Sequence, residues 1–219
     1  ECRPDGVLIA GDMLTSQVSG SFAPALETVS ALAEKYPVYY ANGNHEYRVK
    51  TDTERYEDRY ERYAKQLRRA GVVLLENESV LLPETGIRIS GVEIDMDYYK
   101  KLRKSVMKVS YLNSLLGRPC ADEYNILLAH NPDYFQAYAG WGADLVLSGH
   151  VHGGIMRLPV LGGVLSPALR LFPRYDGGLY EEGKSKMVLG RGLGTHTLPI
   201  RVFNPGELIV VRLEPERGN

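Results

Sequence analysis

Short apolar runs that break off into glycine, asparagine or histidine set the rhythm of this chain. Val7–Ala10 ends in Gly11-Asp12, and Val38–Ala41 ends in Asn42-Gly43-Asn44-His45-Glu46. Asn125–Ala129 leads into His130-Asn131-Pro132, and Leu145–Ser148 into Gly149-His150-Val151-His152-Gly153-Gly154. Apolar runs of this length, fenced by turn formers, read as buried strands. Between the first two, Phe22, Leu26, Val29, Ala33 and Tyr36 recur at helical spacing, with Ser21 placed to cap the start and Pro37 to stop it. The chain thus reads strand, helix, strand, with its polar residues at strand C-termini, where open α/β sheets hold ligands.

The pattern then changes. Asp52 to Ala70 is dense in charge and carries one stripe of Tyr56, Tyr60, Tyr63 and Leu67, so a single helix closed by Gly71 is expected. The stripe reads as a packed face rather than a binding surface. Asp58 with Arg62 and Glu61 with Lys65 stand four apart in the favourable order. Val72–Leu75, Val80–Leu82 and Ile87–Ile94 follow as closely spaced strands, which suggests an antiparallel section. Helices are expected over Val109–Leu116 and from Tyr134, and closing strands over Met187–Leu189 and Leu208–Leu213.

Composition bounds the partners. With 219 residues, 44% of them hydrophobic, the chain can bury one sizeable core, so 1–219 is expected to form a single domain. The net charge of −1 carries no signature of nucleic-acid steering, and no nucleic-acid partner is expected. Cys2 and Cys120 lack Cys-x-x-Cys spacing and read as buried free thiols. No apolar run reaches the roughly 18 residues of a membrane-spanning helix. No signal-peptide pattern is present either.

Four of the five histidines (His45, His130, His150 and His152) stand at or just beyond the ends of expected strands, with Asp12 and Asn44 at equivalent points. Imidazole, carboxylate and amide oxygen form a mixed N/O donor set suited to Zn, Mn or Fe. The neighbouring Gly11, Gly43 and Gly149 are explained as places where the backbone bends sharply or approaches closely. Asp12 is the carboxylate able to bridge two cations, which at a separation of ~3.5–4 Å would clamp the attacking and leaving oxygens of a phosphoryl transfer.

These motifs, in this order, resemble those of the calcineurin-like metallophosphoesterases, whose series runs D-x-H, G-D, G-N-H-[DE], a lone His and G-H-x-H. The last four are here as Gly11-Asp12, Gly43-Asn44-His45-Glu46, His130 and Gly149-His150-Val151-His152. The resemblance implies a four-layer α/β/β/α sandwich with two mixed β-sheets. It also implies two divalent metal ions, Mn, Zn or Fe. Asp12 would bridge them, Asn44, His130 and His150 would complete the second, and His152 would belong to the first. His45 would be catalytic, contacting the phosphate and stabilising or protonating the leaving oxygen, while a bridging hydroxide attacks phosphorus in line. Glu46 would either orient His45 or make a structural hydrogen bond. The opening D-x-H does not appear before Gly11, so the fold is expected to lack its first strand and helix and the first metal site to be weak or empty. An Asp-x-His is expected about one βα unit upstream.

Residues 157 to 173 are unusually apolar for a loop, and with the tail beyond them resemble a bacterial subgroup of membrane-associated phosphodiesterases and UDP-2,3-diacylglucosamine pyrophosphatases. This implies a phosphorylated small-molecule or lipid-linked substrate, peripheral membrane contact, and a cytoplasmic or membrane-associated bacterial location. The same segment also reads as a loop packed on its own domain. Arg157, Arg174 and Arg191 are candidates to grip a substrate phosphate or, equally, to brace loops. His196 has no motif around it and reads as structural. The expected function is metal-dependent hydrolysis of phosphomonoester, phosphodiester or pyrophosphate bonds. The rival is a non-catalytic scaffold on the same fold.

Overall fold

The computed structural model describes residues 3–100, 105–154, 156–158, 162–165, 173–194 and 201–215, with the backbone alone for 156–158 and 162–165. A first sheet is built from β1 (Val7–Ala10), β2 (Val38–Ala41) and β3 (Val73–Leu75), in that order and all parallel. Helix α1 (Ala23–Ala33) joins β1 to β2, and α2 (Asn44–Thr51), α3 (Thr53–Tyr56) and α4 (Arg59–Arg69) lie between β2 and β3. A second sheet contains β4 (Glu78–Leu81), β5 (Ile87–Val92), β6 (Tyr124–Ala129) and β7 (Leu145–Ser148). Its connections carry α5 (Val109–Leu116) after β5 and α6 (Phe135–Trp141) after β6. β8 (Met156–Leu158) and β9 (Gly162–Leu165) form a separate antiparallel hairpin, before β10 (Gly178–Glu182) and β11 (Ser185–Leu189) extend the second sheet. Its order is β10-β11-β7-β6-β5-β4, antiparallel at both outer pairs and parallel between.

Burial separates four layers. Val29 of α1 and Tyr60, Tyr63 and Leu67 of α4 pack on Val38 and Tyr40 of the first sheet. Ala41, Leu75, Ile89, Ile126, Leu128 and Leu145 fill the space between the sheets. Leu112, Phe135, Tyr138 and Trp141 pack on Leu127, Val146 and Met187 behind the second. The period-two alternation of β6 is direct: Ile126 and Leu128 face the first sheet, Leu127 and Ala129 the helices. A strand covered on both faces reads as an unbroken apolar run, as this one does. The α/β/β/α layering matches the expectation; among the described strands only the second sheet is mixed.

Several local expectations are corrected. β3 joins the first sheet in parallel, leaving β4–β5 as the antiparallel pair of that section. The expected helix over 52–70 is divided at Glu57, whose φ of 53° no α-helix accommodates. The residues after β2 are helical at once, as α2. Phe22 rather than Ser21 is the N-cap of α1, although Ser21 Oγ accepts from the Ala23 amide at 3.1 Å. Leu208–Leu213 forms no strand ladder with any of the described residues, and Leu208 and Val210 are exposed. Its β-branched composition suits a strand, but strand propensity expresses itself only with a partner to pair and pack against. Cys120 is a free thiol but exposed, not buried, and Cys2 lies outside the described residues. The tyrosine stripe is buried as expected, with Tyr56, Tyr60, Tyr63 and Leu67 all inside.

Candidate metal centre

The C-terminal ends of β1, β2, β6 and β7 meet where the two sheets face each other. Ala10 at the end of β1 accepts a 2.6 Å hydrogen bond from His130 Nδ1, and the Gly149 amide donates to the His130 carbonyl at 3.1 Å. The bond to Ala10 places the proton of His130 on Nδ1 and turns Nε2 toward Asp12 Oδ2, 2.8 Å away. The His150 ring lies edge-to-face against His130, centroids 5.2 Å apart, and against Tyr99 at 5.1 Å. Ligand atoms of Asp12, His130 and His150 all lie within 4.8 Å of one another.

Asp12 is held by backbone. Its Oδ1 accepts from the His45 amide at 3.0 Å, in the first turn of α2, where helix amides and the dipole favour a carboxylate. Gly11 and Gly43 allow this approach. A Cβ on Gly11 would fall 2.2 Å from the Gly43 nitrogen, and one on Gly43 2.2 Å from Asp12 Oδ1. Gly149 differs: a Cβ there would meet His130 at an ordinary 3.5 Å, so close approach does not explain that glycine. Asp12, His150 and His152 have φ of 57°, 69° and 49°, a region non-glycine residues rarely adopt and one found where function over-determines the backbone.

Electrostatics follow burial and proximity. Desolvation alone would raise the Asp12 carboxyl, but the charge and hydrogen bond of His130, with His45 and His150, hold it well below the usual carboxylate range. Burial opposes charge on His130, and Asp12 more than offsets it, so its pKa is raised. His45 is pushed down by desolvation, with Asp12 pulling upward against it and His130 and Arg48 adding to the fall.

Glu46 does not orient His45. Fully buried, it accepts from the amides of Asp12 at 2.8 Å, Met13 at 2.8 Å, Leu14 at 3.2 Å and Gly43 at 3.0 Å, and from the Tyr40 hydroxyl at 2.6 Å. It is the clasp of the Asp12 loop. Burial and the Asp12 charge push its carboxyl up, while these donors work the other way.

Asn44 begins α2 and is buried, with its Oδ1 lacking any hydrogen-bond partner among the described residues. An amide oxygen left so, beside the residue whose amide holds Asp12, fits a cation ligand. His152 lies on the same loop as His150 but outside the Asp12–His130–His150 cluster; its carbonyl accepts from Asn204 Nδ2 at 2.6 Å. Asn204 also donates to the Gly154 carbonyl at 2.8 Å and so fixes the loop. Arg191 pairs with Glu207 at 2.7 Å and packs where a Gly153 side chain would go. Arg174 is 3.9 Å from Glu182 and lies over the Tyr175 ring. The side chain of Arg157 and all of His196 lie outside the described residues, as do residues 159–161 and 166–172 of the apolar segment.

Of the two roles left open for Glu46 the structure shows the structural hydrogen bonds; sequence reasoning missed the Tyr99 wall beside His150 and the Asn204 tether. Neither has a local signal, since each acts on residues more than thirty positions away in the chain.

Strand-end imidazoles, a carboxylate against a helix start and a buried amide oxygen gather metal-donor atoms at one edge of an α/β fold. The chain belongs to the calcineurin-like phosphoesterase family, whose model matches residues 1–154. It is 28% identical to phosphodiesterase YaeI of Escherichia coli over 89% of this chain and 65% of that protein. It is 29% identical to an uncharacterized metallophosphoesterase of Helicobacter pylori, over 97% of this chain and 52% of the relative. A zebrafish transmembrane protein with metallophosphoesterase domain is 30% identical over 98% of this chain and 47% of its own length. The chain thus spans less than two thirds of each of these relatives. No solved structure is significantly similar to it.

Proposed function

We propose that residues 1–219 form one domain that hydrolyses phosphoester bonds, phosphodiesters foremost, with two divalent metal ions. The observation that carries this is the convergence of Asp12, His130 and His150 within 4.8 Å. The buried, unpartnered Asn44 Oδ1 supports it. Asp12 would face both cations, Asn44, His130 and His150 would hold the second, and His152 the first. Bound there, such ions supply Lewis acidity toward phosphoryl oxygens and lower the pKa of water. The chain's own contribution is geometry. Ala10 fixes the ring of His130, the α2 amide fixes Asp12, and His45 turns Nε2 toward the Asp12 carboxylate at 4.0 Å, from which it would donate to a substrate phosphate or leaving oxygen.

His45→Ala is expected to retain bound metal and lose roughly 10²–10⁴ in kcat on a generic phosphodiester such as bis(p-nitrophenyl) phosphate. His130→Ala is expected to lose metal as well, measured by elemental analysis after loading with Mn, Zn or Fe. Wild-type protein that neither binds metal nor turns over would instead support the scaffold reading.

A lipid-linked substrate is the narrower proposal, supported by the apolar sequence of residues 157–173 and by the name of the zebrafish relative. Among the described residues no helix is long and apolar enough to cross a membrane. Replacing Leu169 and Phe172 together by Ser is expected to lower sedimentation with anionic liposomes; unchanged binding removes the lipid argument.

A further inference from the structure

His45 is held from behind by a residue outside the metal-site motifs. Its Nδ1 receives the Ser16 amide at 3.0 Å and lies 2.8 Å from Ser16 Oγ. An amide N–H can only donate, so Nδ1 presents its lone pair, and the proton of the neutral ring resides on Nε2. That nitrogen is the one facing Asp12 Oδ2, 4.0 Å away. Ser16 is itself anchored. Its carbonyl accepts from the buried Tyr56 hydroxyl at 2.7 Å, and Arg59 donates to the carbonyls of Val18 and Gly20 farther along the loop. Arg59 also lies over the Phe22 ring at 4.3 Å, tying the loop to the start of α1.

We propose that Ser16 is the positioning residue of His45: its amide and hydroxyl fix the ring plane and the Nε2–H tautomer, and so aim a hydrogen-bond donor into the site. The inference rests on the role given to His45 in the proposed function. It also assigns a task to the divided helix after α2. Tyr56 ends α3 and Arg59 begins α4, so the break at Glu57 delivers two side chains to one loop.

The test pairs kinetics with a tautomer readout on the metal-loaded protein. Long-range ¹H–¹⁵N correlation of histidine-labelled wild type is expected to show His45 with a pyridine-type Nδ1 and a pyrrole-type Nε2. Ser16→Ala keeps the amide and loses the hydroxyl. It is expected to lower kcat roughly 3- to 10-fold, the scale of one hydrogen bond, with KM and metal content unchanged and a larger share of the Nδ1–H form. Ser16→Thr, which keeps both donors, is expected to restore both readouts. A wild-type Nδ1–H tautomer, or a Ser16→Ala protein with unaltered kcat and tautomer, overturns the inference. If His45→Ala leaves kcat intact, the proposed role of His45 fails, while the tautomer spectrum still decides whether Ser16 holds the ring.

Discussion

Replacing Glu46 with Gln is expected to cost the fold about 3–5 kcal/mol and to abolish tight metal binding. One carboxylate oxygen accepts from the Asp12 and Gly43 amides, the other from the Met13 and Leu14 amides and the Tyr40 hydroxyl. Glutamine presents an acceptor on one side only. Whichever way its amide turns, an NH₂ group faces donors, leaving at least two buried backbone N–H groups unsatisfied at about 1–3 kcal/mol each. The strain at Asp12, with φ of 57°, then loses the clasp on its own amide and those of Met13 and Leu14 that helps to sustain it. The Asp12 carboxylate would leave the amide of His45, and the cluster with His130 and His150 would open. For a chain of this size, the loss corresponds to a fall in Tm of about 10 °C, and urea titration should show a matching shift in midpoint. Wild-type Tm with wild-type metal content in Glu46→Gln would remove the clasp from the account.

The contrast between Glu46 and its neighbours shows what was legible in the sequence. Asp12, His130 and His150, which the fold brings together, announce themselves by type and by position after apolar runs, as do Asn44, His45 and His152, whose roles are proposals. The layering is legible for the same reason, because strands covered on both faces write themselves as unbroken apolar runs. α2 is different. Asn44–Thr51 is eight residues of mostly polar sequence, with only Val49 as a buried aliphatic, so no periodicity separates it from a loop. It is held instead by its N-terminal contacts, Gly43 with Glu46 and Asp12 with His45. The tyrosine stripe shows the reverse. Its burial follows from spacing, but its hydroxyl chemistry does not: Tyr56 reaches Ser16, Tyr60 reaches Glu76, and Tyr63 meets Tyr40 at 3.3 Å. Leu208–Leu213 marks the limit. Its composition predicts a strand, yet ladder formation depends on a neighbour that composition cannot supply.

Lys50→Met is expected to destabilise the protein by about 3 kcal/mol at neutral pH, because it strands charge behind the metal centre. The Lys50 ammonium sits 2.6 Å from Glu76 Oε1 and 2.8 Å from Glu93 Oε2. Without it Glu76 keeps Arg68, but Glu93, with a side chain only 5% exposed, keeps, among the described residues, the amides of Asn42 at 2.8 Å and Asn77 at 3.5 Å. A buried carboxylate deprived of its cation is far worse off than an apolar pair would be, so Lys50→Met with Glu93→Gln should recover much of the loss. The pH dependence has a definite sign. Desolvation would raise Glu76, but Lys50, Tyr60 and Arg68 together lower it, so its contribution is present above its ordinary 4.5 and is lost as pH falls through the lower folded value. Burial would lower Lys50, but Glu76 and Glu93 raise it, so its contribution holds below its ordinary 10.5 and is lost as pH rises through the higher folded value. The gap between wild type and Lys50→Met, measured by urea unfolding, should therefore be widest between about pH 5 and 10 and should narrow in acid as Glu76 protonates. A gap independent of pH would mean that Lys50 acts through its methylene stem alone. Asn42 precedes Gly43, and Glu93 follows β5, so the same network supports the turn that presents Asn44 and His45. A second consequence follows: Lys50→Met should also weaken metal retention, although Lys50 belongs to no ligand set.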